Sequence, residues 1–102
     1  MRESNMKKSI LINGKKIKTK IELYTYLESQ FSLPTPMGHN LDALWDVLSH
    51  SQSIQKITFI HTKEFKQNLS EYADSFIELL QEIQLKRNIE IKLFEGKRNE
   101  NN

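Results

Sequence analysis

Short apolar runs alternate along this chain with longer segments of helical periodicity, and this alternation limits the folds available to it. The apolar runs lie at residues 9–12, 57–60 and 89–93. Because parallel strands need long crossover connections that are usually helical, the spacing predicts βαβ units. We therefore expect an α/β domain in which a three-stranded parallel sheet is packed by about four helices. The consecutive apolar residues of the first run favour a central strand, and the alternating third run favours an edge strand.

Capping signals indicate where the helices begin. A capping-box pattern precedes a helical segment at about residues 20–30. Asn40 is a good N-cap for a second helix, and Thr62 can cap a short third helix. Over residues 71–87, apolar and acidic side chains occupy opposite stripes, which predicts an amphipathic fourth helix.

The composition favours one small domain. A chain of 102 residues buries roughly 65% of its unfolded surface, enough for a single core. It contains no cysteine, which excludes a disulfide scaffold and thiolate metal sites. No apolar run approaches the ~20 residues of a membrane span, and no secretory h-region of ~7–15 residues follows the charged start. We expect a cytoplasmic protein with a domain over residues 7–94 and flexible tails at 1–6 and 95–102.

Charged residues are segregated, although the formal net charge is only +2. Residues 1–20 hold seven basic side chains and one acidic side chain, whereas residues 21–55 contain no Lys or Arg. A second stretch without basic residues, 67–85, contributes four carboxylates. Such runs are often ordinary solvated helix surface. The alternative is an acidic face built from two separated segments.

The most informative segment is residues 33–49, LPTPMGHNLDALWDVLS. In a helix that begins at Asn40, the side chains of Asp42, Asp46 and Ser49 share one exposed face, because they are spaced i, i+4 and i+7. The helix dipole favours Asp42 in the first turn. Asp46 instead faces a like charge at i,i+4 and has no Lys or Arg within nine residues on either side. An acidic pair of this kind is tolerated more readily where a cation from outside the chain will bind.

This motif resembles the signature of the barstar family, whose members are small proteins that bind and inhibit barnase-type extracellular ribonucleases. Over residues 38–46 nearly every position agrees, and the order of strands and helices is similar over about residues 7–93. The resemblance implies a sheet of strand order 2-1-3. It also implies that the second helix and the loop before it plug the ribonuclease active site, with an aspartate that imitates the phosphate of RNA.

The resemblance further implies which residues contact the ribonuclease. Asp46 matches the phosphate-mimicking aspartate, and Asp42 matches its acidic neighbour. Glu82 is the best match for a glutamate of the last helix that contacts the enzyme in the archetype. Pro36 and Met37 stand where the archetype has two tyrosines, which favours a related but distinct ribonuclease toxin as partner. The expected partner-binding residues are Pro36, Met37, Gly38, Asn40, Asp42, Trp45, Asp46, Ser49 and Glu82.

An enzyme is one alternative, in which the two aspartates act as a carboxylate pair with a histidine as general base or metal ligand. The histidines, however, are eleven residues apart, which is not metal-ligand spacing; they are His39, His50 and His61. The chain also has only three glycines and no phosphate-binding glycine loop. We therefore expect no catalytic activity, no metal and no cofactor.

A nucleic-acid-binding module is the second alternative, because the basic side chains of residues 1–20 could meet phosphates. No aromatic stacking platform accompanies them. We therefore favour a monomeric inhibitor that forms a one-to-one complex with its cognate ribonuclease toxin and binds neither membranes nor nucleic acid.

Overall fold

The computed structural model describes residues 8–32 and 36–97, and these residues form an α/β domain. Its strands are β1 (Lys8–Asn13), β2 (Ile54–Ile60) and β3 (Glu90–Leu93). Its helices are α1 (Lys20–Phe31), α2 (Leu41–His50), α3 (Thr62–Leu69) and α4 (Glu71–Arg87), and a 3-10 turn (Gly14–Lys16) follows β1. Within the described residues, no helix combines the length and apolar character needed to cross a bilayer. The predicted α/β class, with three parallel strands and four helices in the described part, is confirmed.

The central strand is β2, which corrects the expected order 2-1-3. The three strands are parallel and lie in the order β1-β2-β3. Ile57, Thr58 and Phe59 are consecutive buried residues of β2, as expected for a strand that has a neighbouring strand on each side. Leu11, in the middle of β1, is 40% exposed. The apolar run of β1 therefore belongs to an edge strand with one open face.

The hydrophobic core lies against one face of the sheet. The strand register places Ile10, Ile57 and Ile91 side by side on this face, and all three are buried. Helix α4 adds the apolar stripe predicted from its periodicity, which is fully or nearly buried: Ala73, Phe76, Ile77, Leu80 and Ile83. The acidic stripe of α4 consequently faces away from the core.

Helix α3 begins differently from the prediction. Thr62 is the first helical residue and is buried, whereas the N-cap is His61, a left-handed residue with a φ of 57° and no side-chain cap bond. The amides of residues 61–63 donate instead to the carbonyls of residues 94–96, over 2.9 to 3.3 Å. The amides at a helix start need acceptors, and the chain beyond β3 supplies them.

Glu95 and Gly96, which the expected tail at 95–102 included, accept hydrogen bonds from the start of α3. The expected tail at 1–6 and residues 98–102 lie outside the described residues, as do residues 33–35 at the start of the sequence motif.

The turn after β1 packs tightly on α3. A Cβ atom at Gly14 would lie 2.5 Å from the His61 carbonyl oxygen and 2.8 Å from the Phe65 Cβ. Asn68 of α3 also donates to the Ile17 carbonyl at 3.1 Å. Glycine is therefore required by the close approach of the two backbones.

Side chains cover part of both outer edges of the sheet. On β1, the Tyr26 hydroxyl donates to the Leu11 carbonyl at 3.0 Å and accepts from the Asn13 amide at 3.2 Å. On β3, Gln84 Oε1 accepts from the Ile91 amide at 2.7 Å. Unpaired edge groups promote edge-to-edge association, so these bonds reduce the backbone groups open to strand addition.

Candidate functional site

Helix α2 turns its acidic side chains towards solvent. Leu44 is fully buried, while Asp42 and Asp46 are exposed. The helix begins as predicted, with Asn40 Oδ1 accepting from the Ala43 amide at 2.8 Å. This cap sets the first turn, in which Asp42 lies near the positive end of the helix dipole.

The two aspartates of α2 carry uncompensated charge. Neither Asp42 nor Asp46 takes part in any of the ion pairs between described residues. His50 Nδ1 lies 2.9 Å from the backbone carbonyl of Asp46, which leaves the carboxylate free. Ser49 is half-buried, and its Oγ has no hydrogen-bond partner in the described part of the chain. The Ser49 Oγ is itself buried, so of the three residues expected on the exposed face of α2 only Asp42 and Asp46 present their polar groups to solvent.

An open groove of about 640 Å³ runs between α2 and α4. The α2 wall carries Asp42 and the half-buried Trp45, and the α4 wall carries Glu78 and Glu82. The remaining lining residues are Leu41, Ser75, Leu79, Gln81 and Leu85. The groove therefore brings together three of the sequence-predicted residues: Asp42, Trp45 and Glu82.

The groove is acidic, because three carboxylates line it and no lysine or arginine does. Charges separated by less than the Debye length, about 8 Å at physiological salt, act together with little screening. A cleft lined by one sign of charge concentrates counter-ions and increases association rates. The groove can therefore receive arginine or lysine side chains of a partner.

Six of the nine lining residues were not among those predicted, and Glu78 and Leu85 are two of them. Glu78 lies one helical turn before Glu82, and this i,i+4 spacing on the acidic stripe of α4 was the signal that could have identified it. Leu85 is 82% exposed although it is apolar. Its position off the apolar stripe of α4 is the local signal that separates it from the buried Leu80.

The loop before α2, residues 36–40 and hereafter the pre-helix loop, contributes two exposed residues at its start. Pro36 and Gly38 are exposed, whereas the Met37 side chain is 8% exposed and belongs to the core. A Cβ atom at Gly38 would lie 3.2 Å from Asn40 Nδ2. Met37 is therefore placed to anchor the loop, and its side chain lies in the core rather than on the surface.

The three histidines lie apart, each with a local contact. His39 Nε2 is 3.5 Å from Glu28 Oε2, and His61 Nδ1 is 3.6 Å from Glu64 Oε1. His50 bonds to the carbonyl of its own helix. Among the described residues, no three histidine or carboxylate side chains converge into a possible metal site.

The lysines of the basic N-terminal segment have varied surroundings. Lys8 Nζ donates to the Phe31 carbonyl at 3.3 Å, and Lys20 Nζ lies 4.4 Å from the centre of the Tyr72 ring. The exposed lysines in the described part of this segment also include Lys15, Lys16 and Lys18. Arg2 and Lys7 lie outside the described residues.

Comparison with known proteins identifies the family of this chain. The family model described as Barstar (barnase inhibitor) matches residues 7–95. A protein of Bacillus subtilis (strain 168) named "Putative ribonuclease inhibitor YrdF" is 31% identical over 87 residues, which are 84% of this chain and 96% of that protein. The family match spans the sheet, the pre-helix loop and the groove. The chain belongs to the barstar family.

Proposed function

We propose that this protein inhibits a barnase-type or related ribonuclease by binding over its active site. The observation that carries the proposal is the meeting of two acidic segments, distant in sequence, in one groove between α2 and α4. The name of the Bacillus subtilis relative, a ribonuclease inhibitor, supports the same role. The protein acts as a cytoplasmic immunity protein or antitoxin, has no catalytic activity, and binds as a monomer in a one-to-one complex.

The inhibition follows from the charge that a ribonuclease presents to RNA. An enzyme that cleaves phosphodiesters stabilises developing phosphate charge with arginine, lysine and histidine side chains. Asp46 occupies the phosphate position, because a carboxylate on a rigid helix accepts the same hydrogen bonds but offers no bond to cleave. Asp42 and Glu82 bind neighbouring cations of the enzyme, and Trp45 packs at the border of the contact.

The exposed loop residues set the choice of partner. Pro36 presents a small rigid ring, and Met37 directs its side chain into the core. The archetype of the family has two tyrosines at these positions, whereas this chain presents a flatter surface without aromatic rings. The cognate enzyme is a ribonuclease toxin related to barnase but with a different surface opposite Pro36.

The direct test is titration of a fixed amount of ribonuclease with the purified protein. The enzymes assayed are a set of barnase-type ribonucleases and any ribonuclease that a neighbouring gene encodes. We expect activity to fall linearly to a one-to-one end point and the association rate to fall as salt is added. A matched control is Asp74→Asn, which neutralises an exposed carboxylate of α4 outside the groove. RNA cleavage by the protein itself, or ribonuclease activity that persists at excess inhibitor, would contradict the proposal.

A further inference from the structure

A carboxylate of α1 reaches across to the pre-helix loop. Glu28 Oε2 accepts a hydrogen bond from the Met37 amide at 3.1 Å and lies 3.5 Å from His39 Nε2. The Glu28 side chain is 25% exposed, so it is partly shielded from water. One oxygen atom thus contacts the residue on each side of Gly38.

We propose that Glu28 is a positioning residue which, with His39, holds the pre-helix loop in the conformation that presents α2 to the ribonuclease. We call the contacts of Glu28 with Met37 and His39 the clasp. The proposal rests on the function proposed above and adds to it a residue outside the acidic groove. Glu28 acts through the loop and does not itself contact the enzyme.

The pre-helix loop needs such a restraint. Gly38 lacks a Cβ and has more conformational freedom than other residues, and fixing a residue's backbone costs conformational entropy. The loop leads directly into Asn40, whose cap bond sets the first turn of α2 and with it Asp42. Ordering the loop before the partner arrives removes this entropy loss from the binding step.

The clasp rests on a rigid support. The His39 ring stacks on the Tyr24 ring, with centroids 5.5 Å apart and an angle of 15° between the planes. The Tyr24 hydroxyl is hydrogen-bonded to the Tyr72 hydroxyl of α4. Burial raises the pKa of Tyr24 far above its ordinary range, so the ring under His39 stays neutral. The charge that faces His39 therefore comes from Glu28. The contact between the Tyr24 and Tyr72 hydroxyls joins α1 to α4.

Three variants separate the contacts of the clasp. Glu28→Ala removes the acceptor of the Met37 amide and the partner of His39 together. Glu28→Gln removes the charge but keeps a carbonyl oxygen that can accept from the same amide. His39→Ala removes the ring and leaves the bond to Met37. The control is Ser29→Ala, which deletes a hydroxyl bonded to the Tyr26 carbonyl on the same helix.

Two measurements are made on each variant, and melting temperature verifies that each is folded. Hydrogen exchange of the Met37 amide, followed by NMR on the free protein, reports whether the loop is held. The inhibition constant against the barnase-type ribonuclease that the wild-type protein inhibits most strongly reports whether holding the loop matters. Affinity scales with the fraction of molecules in the competent conformation, so a loop that is ordered one tenth as often binds about tenfold more weakly.

We expect Glu28→Ala to accelerate Met37 amide exchange and to weaken inhibition by about tenfold. Glu28→Gln should restore slow exchange and most of the inhibition, because its carbonyl oxygen can still accept from the Met37 amide. If only the negative charge of Glu28 mattered, Glu28→Gln would behave like Glu28→Ala. His39→Ala should fall between them, and Ser29→Ala should match the wild type in both measurements.

Unchanged Met37 exchange in folded Glu28→Ala would overturn the clasp, as would faster exchange without any loss of inhibition. If Glu28→Ala does not fold, Glu28→Gln and His39→Ala decide by the same two measurements. A wild-type protein that inhibits no ribonuclease would overturn the proposed function and the role given to the clasp. In that case the exchange data would still show whether Glu28 holds the loop.

Discussion

Replacing Asp46 with alanine should weaken inhibition more than any other single substitution while leaving the fold as stable as before or slightly more stable. The Asp46 carboxylate is exposed and forms no ion pair with a described residue. It stands one helical turn from the carboxylate of Asp42, on the same side of α2. The substitution therefore removes charge repulsion and no core contact.

The expected changes in stability and in inhibition have opposite signs. Relief of a like-charge i,i+4 pair stabilises a helix by about 0.2–0.5 kcal/mol, and alanine has a higher helix propensity than aspartate by up to ~0.7 kcal/mol. Since 1 kcal/mol moves the melting temperature of a domain this size by roughly 4–8 °C, Tm should rise by a few degrees. In the complex, each charged hydrogen bond lost is worth roughly 1.5–3 kcal/mol, which weakens binding by at least about tenfold.

Melting temperature and inhibition constant, measured on the same preparations, test the expected gain in stability and the expected loss of inhibition together. Asp42→Ala and Glu82→Ala should weaken inhibition less than Asp46→Ala, and Asp74→Asn should leave it unchanged. Undiminished inhibition by the Asp46 variant, or loss of its fold, would show that the phosphate position belongs to another residue.

Three further predictions concern other parts of the molecule. Gly14→Ala should destabilise the fold by about 1–3 kcal/mol because its Cβ meets backbone and core atoms, whereas Gly96→Ala, which meets nothing within 4 Å, should be neutral in urea unfolding. Deleting residues 1–7 should leave the inhibition constant nearly unchanged, while a large loss would favour the nucleic-acid-binding alternative. Stability should fall as pH rises above the ordinary Tyr24 pKa of 10.0, because the unfolded chain loses this proton and the folded one keeps it; Tyr24→Phe should remove that part of the slope in urea titrations at alkaline pH.

Elements with strong local signals were predicted closely. The amphipathic stripe of α4 identified the helix at its observed bounds, Glu71–Arg87. The N-cap role of Asn40 was also confirmed, because an asparagine side chain satisfies helix-start amides through contacts three residues away. The acidic face of α2 followed from the same local geometry.

Features that depend on distant parts of the chain could not be predicted. Three consecutive apolar residues in β1 look like a central strand, yet which strand is central depends on how the crossovers lie over the sheet. Thr62 was predicted to cap α3, but the carbonyls of residues 94–96 accept from the first amides of this helix instead. The contact between Glu28 and Met37 joins a helix to a loop across residues 33–35, and no local pattern encodes it.

The capping of α3 by residues 94–96 has a consequence for the order of folding. A helix of 8 residues is unstable alone in water, because helix nucleation is unfavourable and few hydrogen bonds follow it. Here the first amides of α3 find their acceptors only when β3 has paired with β2 and the following residues have turned back. The packing of the Gly14 turn on α3 therefore also forms only after residues 94–96 have docked. Synthesis of the second half of the chain and assembly of the first half are coupled, so an incomplete chain ending before residue 94 would not hold this packing.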